Sequence, residues 1–453
     1  MQPPVIVVHG ITGSVLRDVY PTTPEVVWDP GIEALRWRPI KEFHRIAMHP
    51  DDLRYEAIEP ANIVPSHAAE MGYAEFIREL RSALREDRGP QAVVPVFPFA
   101  YDWRADNRVV ANRLCAFVQE VIDRTNLLKS YAKEKATTVD LVGHSMGGLV
   151  IASALAKGCK GKNGKPLVRR VVTIGTPFQG AVDAVIKLAT GEGSMVGSPQ
   201  HSERLAARMT PAIYHLLPYF EGALAGHSGK AIFNAKNWQE SIVETVADFI
   251  RTHSHDPKNS TAAERMKSAW KYLKERLDDG RSFLASVNAD DPTAALAGQG
   301  QWLLIVGLDE RTAHRVRLGG DGRFAFEVEP KEYRGEDGVP ADIDAWRGNL
   351  GDGTVPLHGA VPEWADRSAV VGVAERDFGG FLGVGENLPF RKGMTLHAAL
   401  PLMNLVQRWT ISFLRGAKWG DLWGRPLPGL ASDDWASPVA GARLELYGYQ
   451  EPS

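Results

Sequence analysis

The sequence predicts an α/β protein: a mostly parallel, doubly wound sheet with a helical segment inserted in mid-chain. Three observations predict it. Short apolar runs end in glycine or a turn, and helical patterns fill the gaps between them. These runs are apolar without alternation, as suits strands covered on both faces. One of them, Thr138–Val142, passes directly into Gly143-His144-Ser145-Met146-Gly147-Gly148, a strand–turn–helix junction with a serine at its tip.

The elements follow in chain order. Val5–Val8 is the first expected strand, and it leads into the loop His9-Gly10-Ile11-Thr12-Gly13-Ser14. A helix is expected over Tyr73–Arg85, where Phe76, Ile77, Leu80 and Leu84 recur at 3–4 spacing. A second strand, Val93–Phe97, precedes Pro98 and Tyr101-Asp102-Trp103-Arg104. Val109–Arg124 repeats the helical spacing with Val110, Leu114, Phe117, Val118 and Val121, and Cys115 within it reads as a small core residue. After Thr138–Val142 come a helix at Leu149–Ala156 and a strand at Arg170–Ile174 that ends in Gly175-Thr176-Pro177.

Strand signals then fade. Glu203–Leu217, Gln239–Arg251 and Ala262–Leu277 read as helices of a cap or lid laid over the sheet. Trp302–Val306 resumes the buried strands. Arg315–Leu318 and Phe324–Val328, joined by Gly319-Gly320-Asp321-Gly322, read as a β-hairpin. Ala369–Val373 is the last expected strand and Ala398–Leu414 the last helix; the tail from Gly416 is expected to wrap the surface. The expected organisation is a core over residues 1–189, a helical cap over 190–300, the rest of the core over 301–415 with the hairpin insertion at 312–330, and a tail over 416–453.

Composition narrows the function. Hydrophobic residues make up 44% of the 453 and charged residues 24%, the profile of a globular protein with a sizeable core. The 52 basic and 55 acidic side chains leave a net charge of -3, which gives no reason to expect a nucleic-acid partner. Cys115 and Cys159 sit in no CxxC or zinc spacing, so neither a metal nor a cofactor is expected. No signal peptide and no bilayer-spanning run is visible, so the expectation is a cytoplasmic protein, with leaderless export left open.

The serine junction carries the chemistry. Gly143-His144-Ser145-Met146-Gly147 fits G-x-S-x-G, in which the serine projects from the sheet edge on a tight turn. Gly143 and Gly147 remove side chains that would clash with neighbouring elements. Such a serine needs a histidine base and an acid to orient it, in the chain order serine, acid, histidine. Asp352, flanked by glycines in Gly351-Asp352-Gly353-Thr354-Val355-Pro356, is favoured over Asp309, which follows the Trp302–Val306 strand. His397, at a loop-to-helix junction, is favoured over His358, which is too near Asp352 in sequence. His144 reads as a packing residue. Two N–H groups should hold a tetrahedral oxyanion. Met146 follows the nucleophile and is one; Ile11 is the other, with Gly10 allowing close approach.

Several segments resemble the lecithin:cholesterol acyltransferase family and its phospholipase relatives. These are Val8–Leu16, Phe99-Ala100-Tyr101-Asp102-Trp103-Arg104, Gly143–Gly148, Ile174-Gly175-Thr176-Pro177-Phe178-Gln179-Gly180, Gly351–Val355 and His397. The resemblance implies an α/β-hydrolase fold with an inserted helical cap, an oxyanion donor in the first-strand loop, and catalytic roles for Asp352 and His397. Tyr101, Asp102 and Arg104 themselves read as a buried ion-paired brace. The family's lipoprotein enzymes carry disulfides that this chain cannot form. Trp28, Trp37, Phe43 and Met48 either make transient contact with a lipid surface or pack beneath a loop.

The expected function is a serine esterase or lipase that cleaves the carboxylic esters of phospholipids or acylglycerols through an acyl-enzyme. A lipid O-acyltransferase and a small-ester hydrolase are the alternatives, with a non-catalytic binding protein of this fold behind them.

Overall fold

The structure, a computed structural model, describes residues 2–30, 46–48, 63–68, 70–85, 93–191, 201–254, 256–289, 291–298, 301–319, 326–328, 350–378, 395–428 and 432–445. In chain order the strands are β1 (Val5–Val8), β2 (Ser14–Asp18), β3 (Glu25–Trp28), β4 (Ile63–Ala68), β5 (Val96–Phe99), β6 (Val139–His144) and β7 (Val168–Ile174). They continue as β8 (Gln301–Leu308), β9 (Glu310–Arg311), β10 (Val316–Leu318), β11 (Phe326–Val328), β12 (Leu350–Gly351) and β13 (Val371–Ala374). The longer helices are α1 (Glu70–Ala83), α2 (Asn107–Thr125), α3 (Met146–Ala156), α4 (Val182–Thr190) and α5 (His201–Arg208). After them come α6 (Glu240–His253), α7 (Ala262–Ala289), the short α8 (Leu396–Ala399) and α9 (Asn404–Arg415).

Six strands form the central sheet in the order β13-β8-β7-β6-β1-β5, and every pairing is parallel. The fold is the α/β-hydrolase type. Alternate residues of each strand serve opposite faces. Ile6 and Val8 join one apolar cluster with α2, α3 and α7, while Val5 and Val7 join another with α1 and α9. Both faces are therefore dry, which is why the strands read as unbroken apolar runs. Between β1 and β6 the strand order reverses. At such a switch point the loops leaving the two strands part and open a crevice at the carboxyl edge. The loops that leave here are His9–Gly13 and Ser145.

Three of the departures from the expected bounds lie at prolines. β5 runs through Pro98 to Phe99, because it is an edge strand and a missing N–H costs little there. The helix expected over Glu203–Leu217 is broken: α5 ends at Arg208 and a short turn, Pro211–Tyr214, follows. The last helix is likewise split, with Pro401 in a 3₁₀ turn between α8 and α9. α7 extends twelve residues past Leu277, to Ala289. An antiparallel sheet, β3-β2-β4, follows the first loop and was not expected. β10 and β11 pair antiparallel; Gly320–Gly322 and Phe324 of the hairpin lie outside the described residues.

The tail packs on the exposed flank of the sheet. Gly372 of β13 and Arg425 exchange two backbone hydrogen bonds, 2.9 and 3.2 Å. The Arg425 guanidinium is paired with Asp377, both buried. The edge strand is thus partly covered. Among the described residues no helix is long and apolar enough to cross a membrane.

Candidate active site

The site is assembled at the carboxyl edge around Ser145. Its backbone has φ 54° and ψ -131°, a conformation costly for any residue with a Cβ and held by a bond from its N–H to the Ile174 carbonyl at 2.9 Å. α3 packs directly over the end of β1, and a side chain on Gly147 would collide with the Val8 carbonyl oxygen. Gly10 is equally constrained: a Cβ there would stand 2.8 Å from that of Ser145.

Asp352 reaches the site through the β12–β9 pairing, which brings the chain back beside the end of β8. Its Oδ1 accepts from the N–H groups of Val355 at 2.7 Å and Thr354 at 3.1 Å. Its Oδ2 lies 2.7 Å from His397 Nδ1. His397 sits in α8, capped by the Thr395 hydroxyl, and its own N–H donates to the Asp352 carbonyl at 2.8 Å. His397 Nε2 is 2.8 Å from Ser145 Oγ. A carboxylate only accepts, so the imidazole proton lies on Nδ1 and the Nε2 lone pair faces the hydroxyl. Ser145, Asp352 and His397 are 7%, 1% and 8% exposed.

Burial opposes charge on His397, but the Asp352 carboxylate, by its charge and its hydrogen bond, outweighs it, aided by Asp183 and Glu310. The pKa therefore lies above the ordinary 6.5. Glu310 also accepts from the Leu396 N–H at 2.5 Å, bracing α8.

Met146 opens α3, where the first N–H groups have no partner within the helix. Ile11 lies in a turn closed by the Gly13 N–H to the Gly10 carbonyl at 3.2 Å, with Thr12 at φ 61°. The loop is anchored on several sides. Trp28 Nε1 donates to the Thr12 carbonyl at 3.0 Å, and Tyr101 Oη donates to the His9 carbonyl at 2.7 Å. The His9 ring stacks on Tyr101, with centroids 4.1 Å apart. The Gly10 N–H donates to Tyr73 Oη at 3.0 Å.

The other candidates lie elsewhere. Asp309 turns the chain at φ 75°; burial pushes its carboxyl up against the pull of Arg376 and Arg425. His358 packs near Phe220, and burial lowers its pKa. Asp102 and Arg104 form a buried bidentate pair at 2.8 and 2.7 Å. Trp28 is buried, with its ring centroid 5.4 Å from that of Trp103, so it packs and does not face a lipid surface. Met48 is half-buried, its N–H bonded to the Met209 carbonyl at 3.1 Å. Trp37 and Phe43 lie outside the described residues. Asp106, His215 and Asp279 bring ligand atoms within 4.8 Å of one another, but Arg108 is already there, 3.1 and 2.6 Å from the two carboxylates. Sequence reasoning missed Glu310 and Tyr73. Tyr73 sits among the apolar residues of α1, and no motif marks it.

Comparison with known proteins bears out the resemblance. The lecithin:cholesterol acyltransferase family model matches residues 86–295, a span holding the Tyr101–Arg104, Ser145 and Gly175–Gly180 segments. Among curated proteins no significant match is found. Solved structures align at 14% identity. A Tle4–Tli4 complex covers 79% of this chain and 88% of its own, with a TM-score of 0.46. Mature Bacillus licheniformis lipase BlEst2 covers 80% and 81%, with a TM-score of 0.30. A Listeria innocua gene product covers 47% and 67%, with a TM-score of 0.18.

Proposed function

We propose that this chain, lecithin:cholesterol acyltransferase-like over residues 86–295, is a serine hydrolase that acts on lipid carboxylic esters. The observation that carries the reading is the unbroken chain from Asp352 through His397 to Ser145, at 2.7 and 2.8 Å. Transfer of an acyl group from an ester is supported by the family match.

In this mechanism Ser145 Oγ attacks the ester carbonyl while His397 Nε2 takes its proton. Asp352 holds the imidazole and stabilises the imidazolium that forms. The carbonyl oxygen, now negative, is held by the N–H groups of Ile11 and Met146, a pre-set arrangement that costs no reorganisation. His397 then returns the proton to the departing alcohol. Water, activated by the same histidine, cleaves the acyl-enzyme and frees the acid.

The lipid preference rests on the helices between β7 and β8, read as a cap over residues 190–300. Those helices carry apolar faces: α6 packs against α5 and α7 with Ile242, Val243, Val246, Phe249 and Ile250 buried, and the family match favours a lipid ester as the substrate. The test is turnover of nitrophenyl esters of increasing chain length, with products analysed in the presence and absence of an alcohol acceptor. Rates that rise with chain length support the reading; rates confined to acetate and butyrate overturn the lipid part. Ester product in preference to free acid makes the chain an acyltransferase, as the family's name would suggest.

A further inference from the structure

We infer that Tyr73 is a positioning residue that ties the oxyanion loop to the catalytic histidine through His144; the inference rests on the triad reading above.

The hydrogen bonds have a forced direction. His144 Nε2 lies 3.0 Å from the His397 carbonyl oxygen, which only accepts, so Nε2 carries the proton and donates. Burial, with the nearby His397 charge, holds the His144 pKa down to about 3, so its ring is neutral and Nδ1 is a bare acceptor. Tyr73 Oη lies 2.7 Å from that Nδ1 and must donate to it. Having spent its proton there, Oη accepts the Gly10 N–H at 3.0 Å. The series therefore runs Gly10 N–H to Tyr73 O–H to His144 Nδ1, then His144 Nε2–H to the His397 carbonyl. Each link has one possible polarity, and a reversed proton would leave two donors or two acceptors facing each other.

The consequence is geometric. His397 is gripped at its N–H by Asp352 and at its carbonyl by His144, so its ring has a fixed base. At the other end Tyr73 draws in Gly10, immediately before Ile11. One phenol hydroxyl thus sets the spacing between base and oxyanion donor, groups held on α8 and on the loop after β1. The Tyr73 hydroxyl bonds the Gly10 N–H and His144 Nδ1, so it acts through them. G-x-S-x-G leaves its second position free, and here that position is the middle link.

A misplacement of the oxyanion donor is felt in the transition state and hardly in the ground state. The experiment compares wild type with Tyr73→Phe, His144→Gln, His144→Leu and the double variant Tyr73→Phe/His144→Leu, using a soluble nitrophenyl ester and thermal melts. Wild-type labelling by a fluorophosphonate comes first. Failure there removes the triad reading itself and the present inference with it. Given labelling, Tyr73→Phe should lose about 10- to 100-fold in kcat with KM within about twofold. His144→Gln keeps a donor and an acceptor and should retain more kcat than His144→Leu. The double variant should lose no more than its worse single parent, as members of one series do. A Tyr73→Phe enzyme that melts like wild type and keeps its kcat overturns the inference. So does a double variant whose losses multiply, or a His144→Gln enzyme no better than His144→Leu.

Discussion

Replacing Asp352 by Asn tests the acid more sharply than deleting it. Asp352 Oδ1 accepts two backbone N–H groups, from Val355 and Thr354. An asparagine must turn its oxygen toward those donors, since turning its amide there would set N–H against N–H. Its amide then faces His397 Nδ1 and donates to it. The imidazole is driven to the other tautomer, with its proton on Nε2 pointing at Ser145 Oγ, and the base is lost without any loss of shape. The comparable change in a serine triad lowers kcat about 10⁴-fold, about 5.5 kcal/mol of barrier. The assay is kcat on a soluble nitrophenyl ester, with thermal melts to show that folding is intact. A folded Asp352→Asn enzyme within about tenfold of wild type would refute the reasoning, and the acid would have to be sought elsewhere. Asp309→Ala, made in parallel, should keep most of its activity.

Other outcomes follow from the same geometry. Ile11→Pro should remove one oxyanion donor while keeping the turn, since Ile11 is the second residue of a turn whose third has positive φ; kcat should fall about 10²–10³-fold in steady-state assays with the melt little changed. The acidic limb of kcat/KM should have its midpoint above pH 6.5, because the raised pKa of His397 means that it must lose its proton there to act as base. Glu310→Gln removes a charge that favours the imidazolium, so that midpoint should move to lower pH; an upward or absent shift in the pH–rate profile would contradict it. Asp102→Ala leaves the buried Arg104 guanidinium unpaired and should cost about 3–5 kcal/mol in denaturant unfolding, while a loss below about 1 kcal/mol would show the brace to be dispensable.

The sheet was legible because strands buried on both faces are written as plain apolar runs, and the elbow because it is local: strand, tight turn and helix follow one another without a gap from Val139 to Ala156. Asp352 and His397 were reachable by chain order and glycine placement, and both lie within hydrogen-bond distance of their expected neighbours. What escaped was carried by long-range contacts between ordinary residues. Tyr73 is one aromatic in an amphipathic helix, yet its hydroxyl meets residues 63 and 71 positions away. Glu310 sits on a two-residue strand beside the favoured acid's rival, and its role depends on α8 coming to rest against it. Pro211 and Pro401 break helices whose apolar spacing runs on through them. Pro98 is the opposite case, since only knowledge of the edge position makes that proline harmless.

The central claim is that one hydroxyl, activated by one imidazole, forms a covalent acyl intermediate. Peptide mass analysis after brief exposure to a fluorophosphonate tests it most directly. The adduct should map to the peptide bearing Ser145 in wild type and in Asp309→Ala, and vanish in Ser145→Ala and His397→Ala. An adduct on another serine, or none on a folded wild-type protein, would contradict it.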